Sequence, residues 1–129
     1  MIKYVTDTMA LVSYIGKRRL PVSTKQIFQS ADANLVEILI PSVVFFEIHY
    51  LFERSRIDVS PNDVLQHLAK YPSFKKQDLS FEIVSKAFAI NDIPELHDRL
   101  IGGTAHYFDV ELITNDPLIQ ASQFVKTVW

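Results

Sequence analysis

The chain has 129 residues, 48% of them apolar, and a formal net charge of -2. That size suits one domain with a real core, and so small a charge gives no global attraction for nucleic acid. An anionic partner would have to be held by a local patch or by metal ions. The absence of cysteine excludes disulfide scaffolds, thiolate metal sites and cysteine nucleophiles.

The N-terminal stretch MIKYVTD reaches an acidic residue after too few apolar positions for a secretory leader. No window is long enough for a membrane span, so a cytoplasmic protein with no membrane contact is expected. Ile2 to Val5 reads as a first strand, followed by helices over Thr8 to Ile15 and Ser23 to Ala33. A second strand is expected at Glu37 to Ile40, then helices over Ser42 to Ile57 and Pro61 to Lys70. Further helices are expected over Phe81 to Ile90 and Asp98 to Phe108, with a strand at Glu111 to Thr114. Additional strands are expected at Gln77 to Leu79 and Phe124 to Trp129. Strands alternating with helices predict an α/β fold, a three-layer α/β/α sandwich with a mostly parallel central sheet. The three glycines and six prolines are scattered, with no linker or repeat, so residues 1–129 are expected to form a single domain.

Ligands of open α/β sheets collect beyond the carboxyl ends of the strands. Asp7 directly follows the run IKYVT, and Asp116 stands at the same place after ELIT. Either could instead be a helix N-cap, above all Asp116 with Pro117 behind it. Asp98, at the start of its helix, has the same two readings. Glu47 has Val43, Val44, Tyr50 and Leu51 as its helical neighbours, which puts a carboxylate on an apolar stripe. Such a group needs a cation, a donor or a metal, and an internal Arg or Lys is one possible partner. Four carboxylates without His or Cys make an all-oxygen site suited to Mg²⁺ or Mn²⁺. His49, His67, His97 and His106 lack metal-binding spacing, and no GxSxG, Walker loop or GxGxxG is present. Gly102 and Gly103 interrupt a helical pattern and read as a place where that helix lies close to the sheet.

Four stretches, YVTDTMALV, PSVVFFEIHYL, HDRLIGGTAHYF and LITNDPLI, together resemble the PIN-domain ribonucleases, and among them the VapC toxins of toxin-antitoxin pairs. The resemblance implies that Asp7, Glu47, Asp98 and Asp116 form a catalytic, metal-binding quartet, supported by Thr8, Thr114 and Asn115. It implies an endoribonuclease that uses the metal to activate water and leaves 3'-hydroxyl and 5'-phosphate ends. It further implies a homodimer and a small antitoxin partner, with the helices Ser42 to Ile57 and Pro61 to Lys70 as candidate interaction faces. Two departures stand out: Gly102 and Gly103 replace the more usual alanines, and Asp109 occupies a turn where it can be mistaken for a fifth ligand.

Lys17, Arg18 and Arg19 lie close in sequence to Asp7 and are candidate RNA contacts, or else solvated loop charges. Lys75 and Lys76 form a second small basic pair. Tyr14, Tyr50 and Tyr107 are either base-stacking or packing residues. A receiver-type signalling domain is disfavoured by the single acid after the first strand, and a haloacid dehalogenase-type phosphatase by Met9 where a second Asp is needed. The remaining alternative is an inactive PIN-like module that only binds a protein or RNA partner.

Overall fold

A computed structural model describes residues 1–129. In chain order the elements are β1 (Lys3–Thr6), α1 (Thr8–Ile15), α2 (Val22–Asp32), β2 (Glu37–Pro41), α3 (Ser42–Glu53) and α4 (Pro61–Lys70). They continue with β3 (Phe74–Gln77), α5 (Phe81–Phe88), α6 (Leu96–Phe108), β4 (Glu111–Ile113), α7 (Pro117–Gln120) and β5 (Thr127–Val128). The sheet has five strands in the order β3-β2-β1-β4-β5, and every pairing is parallel. The chain moves outward from β1 to β3, then returns across the sheet to β4. Right-handed crossovers in opposite directions place helices on opposite faces, so the fold is a three-layer α/β/α sandwich.

Burial on both faces explains the aliphatic strands: Ile38, Leu39, Ile40, Leu112 and Ile113 are all in the core. The expected strand at Gln77 to Leu79 is corrected to Phe74–Gln77. Its buried anchor is Phe74, which pairs with Ile38, while Lys75 and Lys76 are exposed on the sheet edge. Lysines are common guards of an open edge, and here they disguise a strand as surface. The strand expected from Phe124 to Trp129 shortens to Thr127–Val128.

Helix α3 ends at Glu53, four residues before the expected Ile57. Ser55 enters the left-handed region at φ 56°, and the Arg56 N–H turns back to Leu51 O at 2.9 Å, closing the helix end. Helix α6 begins at Leu96 because Glu95 caps it, its carboxylate accepting the Asp98 N–H at 2.7 Å. Asp109 closes the same helix with φ 53°, and its carboxylate is bonded to Lys126 Nζ at 2.8 Å, so it is a cap and an ion-pair partner far from the other acids.

Gly103 of α6 serves helix-on-helix rather than helix-on-sheet packing, and Gly102 faces the segments that precede α6 and β5. A β-carbon at Gly103 would stand 2.4 Å from Ala87 Cβ and 2.7 Å from Ala87 Cα, on α5. At Gly102 it would meet only side-chain tips, Val125 Cγ2 at 3.1 Å and Ile93 Cδ1 at 3.4 Å. Gly103→Ala should therefore lose about 1–3 kcal/mol of stability to overpacking, in spite of a helix-propensity gain of about 1 kcal/mol. Gly102→Ala should stay within about 1 kcal/mol of the parent. Urea melts of the two variants test this, and equal stabilities would refute the backbone clash.

Candidate functional site

One strand register and two helix starts bring the acids together. Thr6 pairs with Ile113, and the Asp7 N–H donates to Ile113 O at 3.1 Å, so the residues following β1 and β4 are side by side. These strands flank the point where the chain reverses its direction across the sheet, the crevice in which α/β folds bind ligands. Helix α3 starts directly at the end of β2 and carries Glu47 on its second turn, while α6 delivers Asp98 in its first.

The result is a cavity of about 490 Å³ lined by all four acids, Asp7, Glu47, Asp98 and Asp116. Thr8, Asn115, Met9, Leu51, Ile101, Pro117 and Leu118 complete its wall, which contains no Lys, Arg or His. None of the four carboxylates takes part in a salt bridge. No Arg or Lys meets Glu47; of the partners it could take, the protein supplies a hydrogen-bond donor, Thr8 Oγ1 donating to Glu47 Oε1 at 2.6 Å.

The capping and site readings prove compatible. Asp7 Oδ1 accepts the Ala10 N–H at 2.8 Å, and Asp116 Oδ1 accepts the Leu118 N–H at 2.8 Å. Each cap uses one carboxylate oxygen and leaves the other for the cavity. Thr114 is fully buried beside them; its hydroxyl accepts the Asp116 N–H at 3.1 Å and lies near enough to the Asp7 carboxyl to favour its charged form. Asn115 is exposed at the cavity wall. As the side chains stand, no three acids converge tightly enough to enclose an ion, as expected of like charges holding apart.

Electrostatics records the crowding. Burial raises the Asp7 carboxyl above its ordinary value, with Asp116 and Glu47 adding to the shift and hydrogen bonds from Thr114 and Ala10 opposing it. Asp98 is pushed from 3.8 up to about 6, first by burial, then by Glu95, Asp116, Glu47 and Asp7. Glu95 is an acid that sequence reasoning missed, because glutamate is an uncommon N-cap and does not mark a helix start by type.

The basic run lies elsewhere. Lys17 and Arg18 follow the C-terminus of α1, whereas Asp7 caps its N-terminus, so eight helical residues separate them by about 12 Å. Both line a different cavity of about 930 Å³, between α1, α2 and α4, where Arg18 pairs with Asp58. Arg19 is exposed beside them. That cavity is larger, but Asp32, Asp58 and Asp63 offset its cations and it lies away from the strand ends. Tyr14 is not free to stack on a base: it is stacked on Phe28 with centroids 4.7 Å apart and donates its hydroxyl to Asp32. Of the candidate interaction faces, α3 exposes Phe46, Tyr50 and Phe52. Helix α4 exposes only Leu65 among its large apolar side chains, while α5 leaves Phe81 90% and Phe88 83% exposed.

A family model for the PIN domain matches residues 4–122. The structure is similar to VapBC2 from Rickettsia felis, solved bound to a DNA fragment from their promoter, at a TM-score of 0.73 and 19% identity, covering 99% of both chains. It is also similar to DNA-bound VapBC from Salmonella typhimurium, with TM-score 0.71 and 14% identity over 99% of this chain and 98% of that one. FitAcB from Neisseria gonorrhoeae gives 0.65 and 14%, covering 98% and 96%. No curated protein sequence matches the chain.

The raised Asp98 pKa has a stability consequence. The folded protein holds this proton more tightly than the unfolded chain, so the contribution is full below about pH 4 and lost as pH rises through about 6. In metal-free protein, Asp98→Asn should raise the thermal midpoint at pH 7 and flatten its decline between pH 4 and about 6.5. A midpoint at pH 7 equal to or below the parent's would show that Asp98 is not held in an unfavourable charged state.

Proposed function

The chain belongs to the PIN-domain family, and from that premise we propose that it is a metal-dependent endoribonuclease, the toxin of a toxin-antitoxin pair. The observation that carries the reading is the set of four carboxylates around one cavity with no lining cation. Such an all-oxygen set, in which burial and then neighbouring carboxylates raise Asp7 and Asp98, fits a hard divalent ion such as Mg²⁺ or Mn²⁺. Asp7, Glu47, Asp98 and Asp116 would hold it. When bound, the ion supplies neutralisation of the phosphate and an acidified water for in-line attack on the phosphodiester, leaving 3'-hydroxyl and 5'-phosphate ends.

The protein's own groups have definite parts in this scheme. The caps at Asp7 and Asp116 fix each carboxylate in one rotamer, so little side-chain entropy is lost when the second oxygen takes a ligand. Thr8 orients Glu47, and Thr114 holds the Asp116 backbone beside Asp7, as outer-shell partners do in metal sites. Asp98 accepts no hydrogen bond from the protein and is the acid whose charge gains most from a cation.

The homodimer and the small antitoxin are part of the same proposal. Phe81, Val84 and Phe88 form an exposed apolar row on α5, and Phe46 is exposed on α3, the kind of surface a partner covers. Two of the similar structures are VapBC assemblies bound to DNA, and a third is a toxin-antitoxin complex from Klebsiella pneumoniae.

Asp7→Asn and Asp116→Asn should each reduce metal-dependent RNA cleavage by more than the ~10–100-fold typical of losing an outer-shell partner, with circular dichroism unchanged. In parallel, Mn²⁺ added to the parent protein should broaden the amide resonances of residues around the four acids and leave the α1/α2/α4 cavity sharp. Cleavage that persists undiminished in both variants, or broadening that is uniform across the chain, would remove the assignment. RNA binding by the parent without any cleavage would favour a binding module instead.

A further inference from the structure

The acid cavity has no cation of its own, yet a polyanionic strand must be drawn to it and held beside it. Helix α3 offers one. Glu47 and Leu51 both line the cavity, and Arg54 follows them at the next step of the same row, i, i+4 and i+7. Arg54 is the C-cap of α3 and keeps near-helical angles, φ -92° and ψ 11°, so the row continues through it. At 1.5 Å per residue it lies about 10 Å along the helix from Glu47, within one or two nucleotides of a phosphate bound at the acids.

Arg54 is unspent. It takes part in none of the salt bridges of the protein, although Glu53 is its chain neighbour. Its guanidinium lies over the ring of Tyr50 at 4.4 Å from the centroid, on the preceding turn. Tyr50 remains 46% exposed even with the guanidinium over it, so ring surface is left for a second flat group. A guanidinium with free donors beside an exposed aromatic ring is the pairing that holds one unpaired nucleotide, the phosphate by charge and the base by stacking. On the facing rim, the exposed Met9 and Leu118 present apolar surface rather than charge, which suits unstacked bases and not a duplex backbone.

We propose that Arg54 and Tyr50 form a nucleotide-holding subsite next to the acid cavity, the guanidinium taking a phosphate and the phenol ring stacking on the base of the same nucleotide. This inference rests on the nuclease reading. In it, Arg54 is a binding residue and takes no part in bond cleavage.

The test uses the full chain in the Asp116→Asn background with a fluorescein-labelled 12-nucleotide oligo(U), read by anisotropy in Mg²⁺ between 50 and 200 mM salt. Adding Arg54→Ala should weaken binding about tenfold and lower the log-log salt slope by about 1, while Arg54→Lys keeps the slope. Tyr50→Ala should weaken binding at least about fivefold with the slope unchanged, because stacking releases no counterion. In the otherwise native protein, Arg54→Ala should raise KM and spare kcat. The oligo(U) paired with oligo(A) should bind less tightly than the single strand. An unchanged slope in Arg54→Ala, or a duplex bound as tightly as the single strand, would overturn the subsite. The nuclease reading fails separately, through the acid substitutions and Mn²⁺ broadening, neither of which involves Arg54.

Discussion

The hydrogen bond from the Asp7 N–H to Ile113 O joins the first strand of the chain to its last third. Because β1 and β4 run parallel and in register, their ends come out level, and the residues that follow them are forced into contact. An antiparallel pairing would have sent Asp7 and Asp116 to opposite edges of the sheet. The long return from β3 to β4 is the topological cost, and the helices α5 and α6 that make it bring Asp98 to the same edge.

What collects there is unfavourable for a folded protein alone. Four carboxylates share a cavity without a lining cation, and at least Asp7 and Asp98 resist ionising. Three of the four are partly satisfied by the protein: two cap helices, and Glu47 receives a hydroxyl. Each of those contacts occupies a single oxygen and points the carboxylate without consuming it. An ordinary stabilising role is therefore compatible with the proposed ligand-binding role at the same side chains, Asp7 starting α1 and Asp116 starting α7. Asp98 is the exception, with no donor to its side chain, and it accordingly shows the larger upward shift.

Much of this was legible before any coordinates. Strand ends marked by acids, and a glutamate among Val43, Val44 and Leu51, follow from periodicity and from what parallel sheets do with their edges. Three features were hidden for identifiable reasons. Sequence nearness placed Lys17 to Arg19 beside Asp7, but a helix of eight residues lay between and carried them to its far end. The strand Phe74–Gln77 was hidden by its own edge lysines, and the capping role of Glu95 by a residue type that rarely performs it. In each case a tertiary requirement, distance along a helix, an edge to protect or a cap to fill, overrode the local signal.

The position of α6 shows how distant packing enters the site. The close approach at Gly103 lets the α6 backbone rest against Ala87 of α5, nearer than any side chain would permit. At the other end of the same helix, Glu95 holds the Asp98 N–H and the Arg99 side chain bonds Ile93 O. Asp92, just upstream, accepts both the Ser122 hydroxyl and the Gln123 N–H, which ties the segment before α6 to the segment after α7. The two helices that flank the cavity on this side, one carrying Asp98 and the other starting at Asp116, are thus anchored to each other outside the cavity. Repulsion between their acids works against a clamped frame, and it cannot relax by letting the helices drift apart. A frame of this kind keeps the four acids on one cavity wall, and the proposed metal site would draw on that shared negative charge.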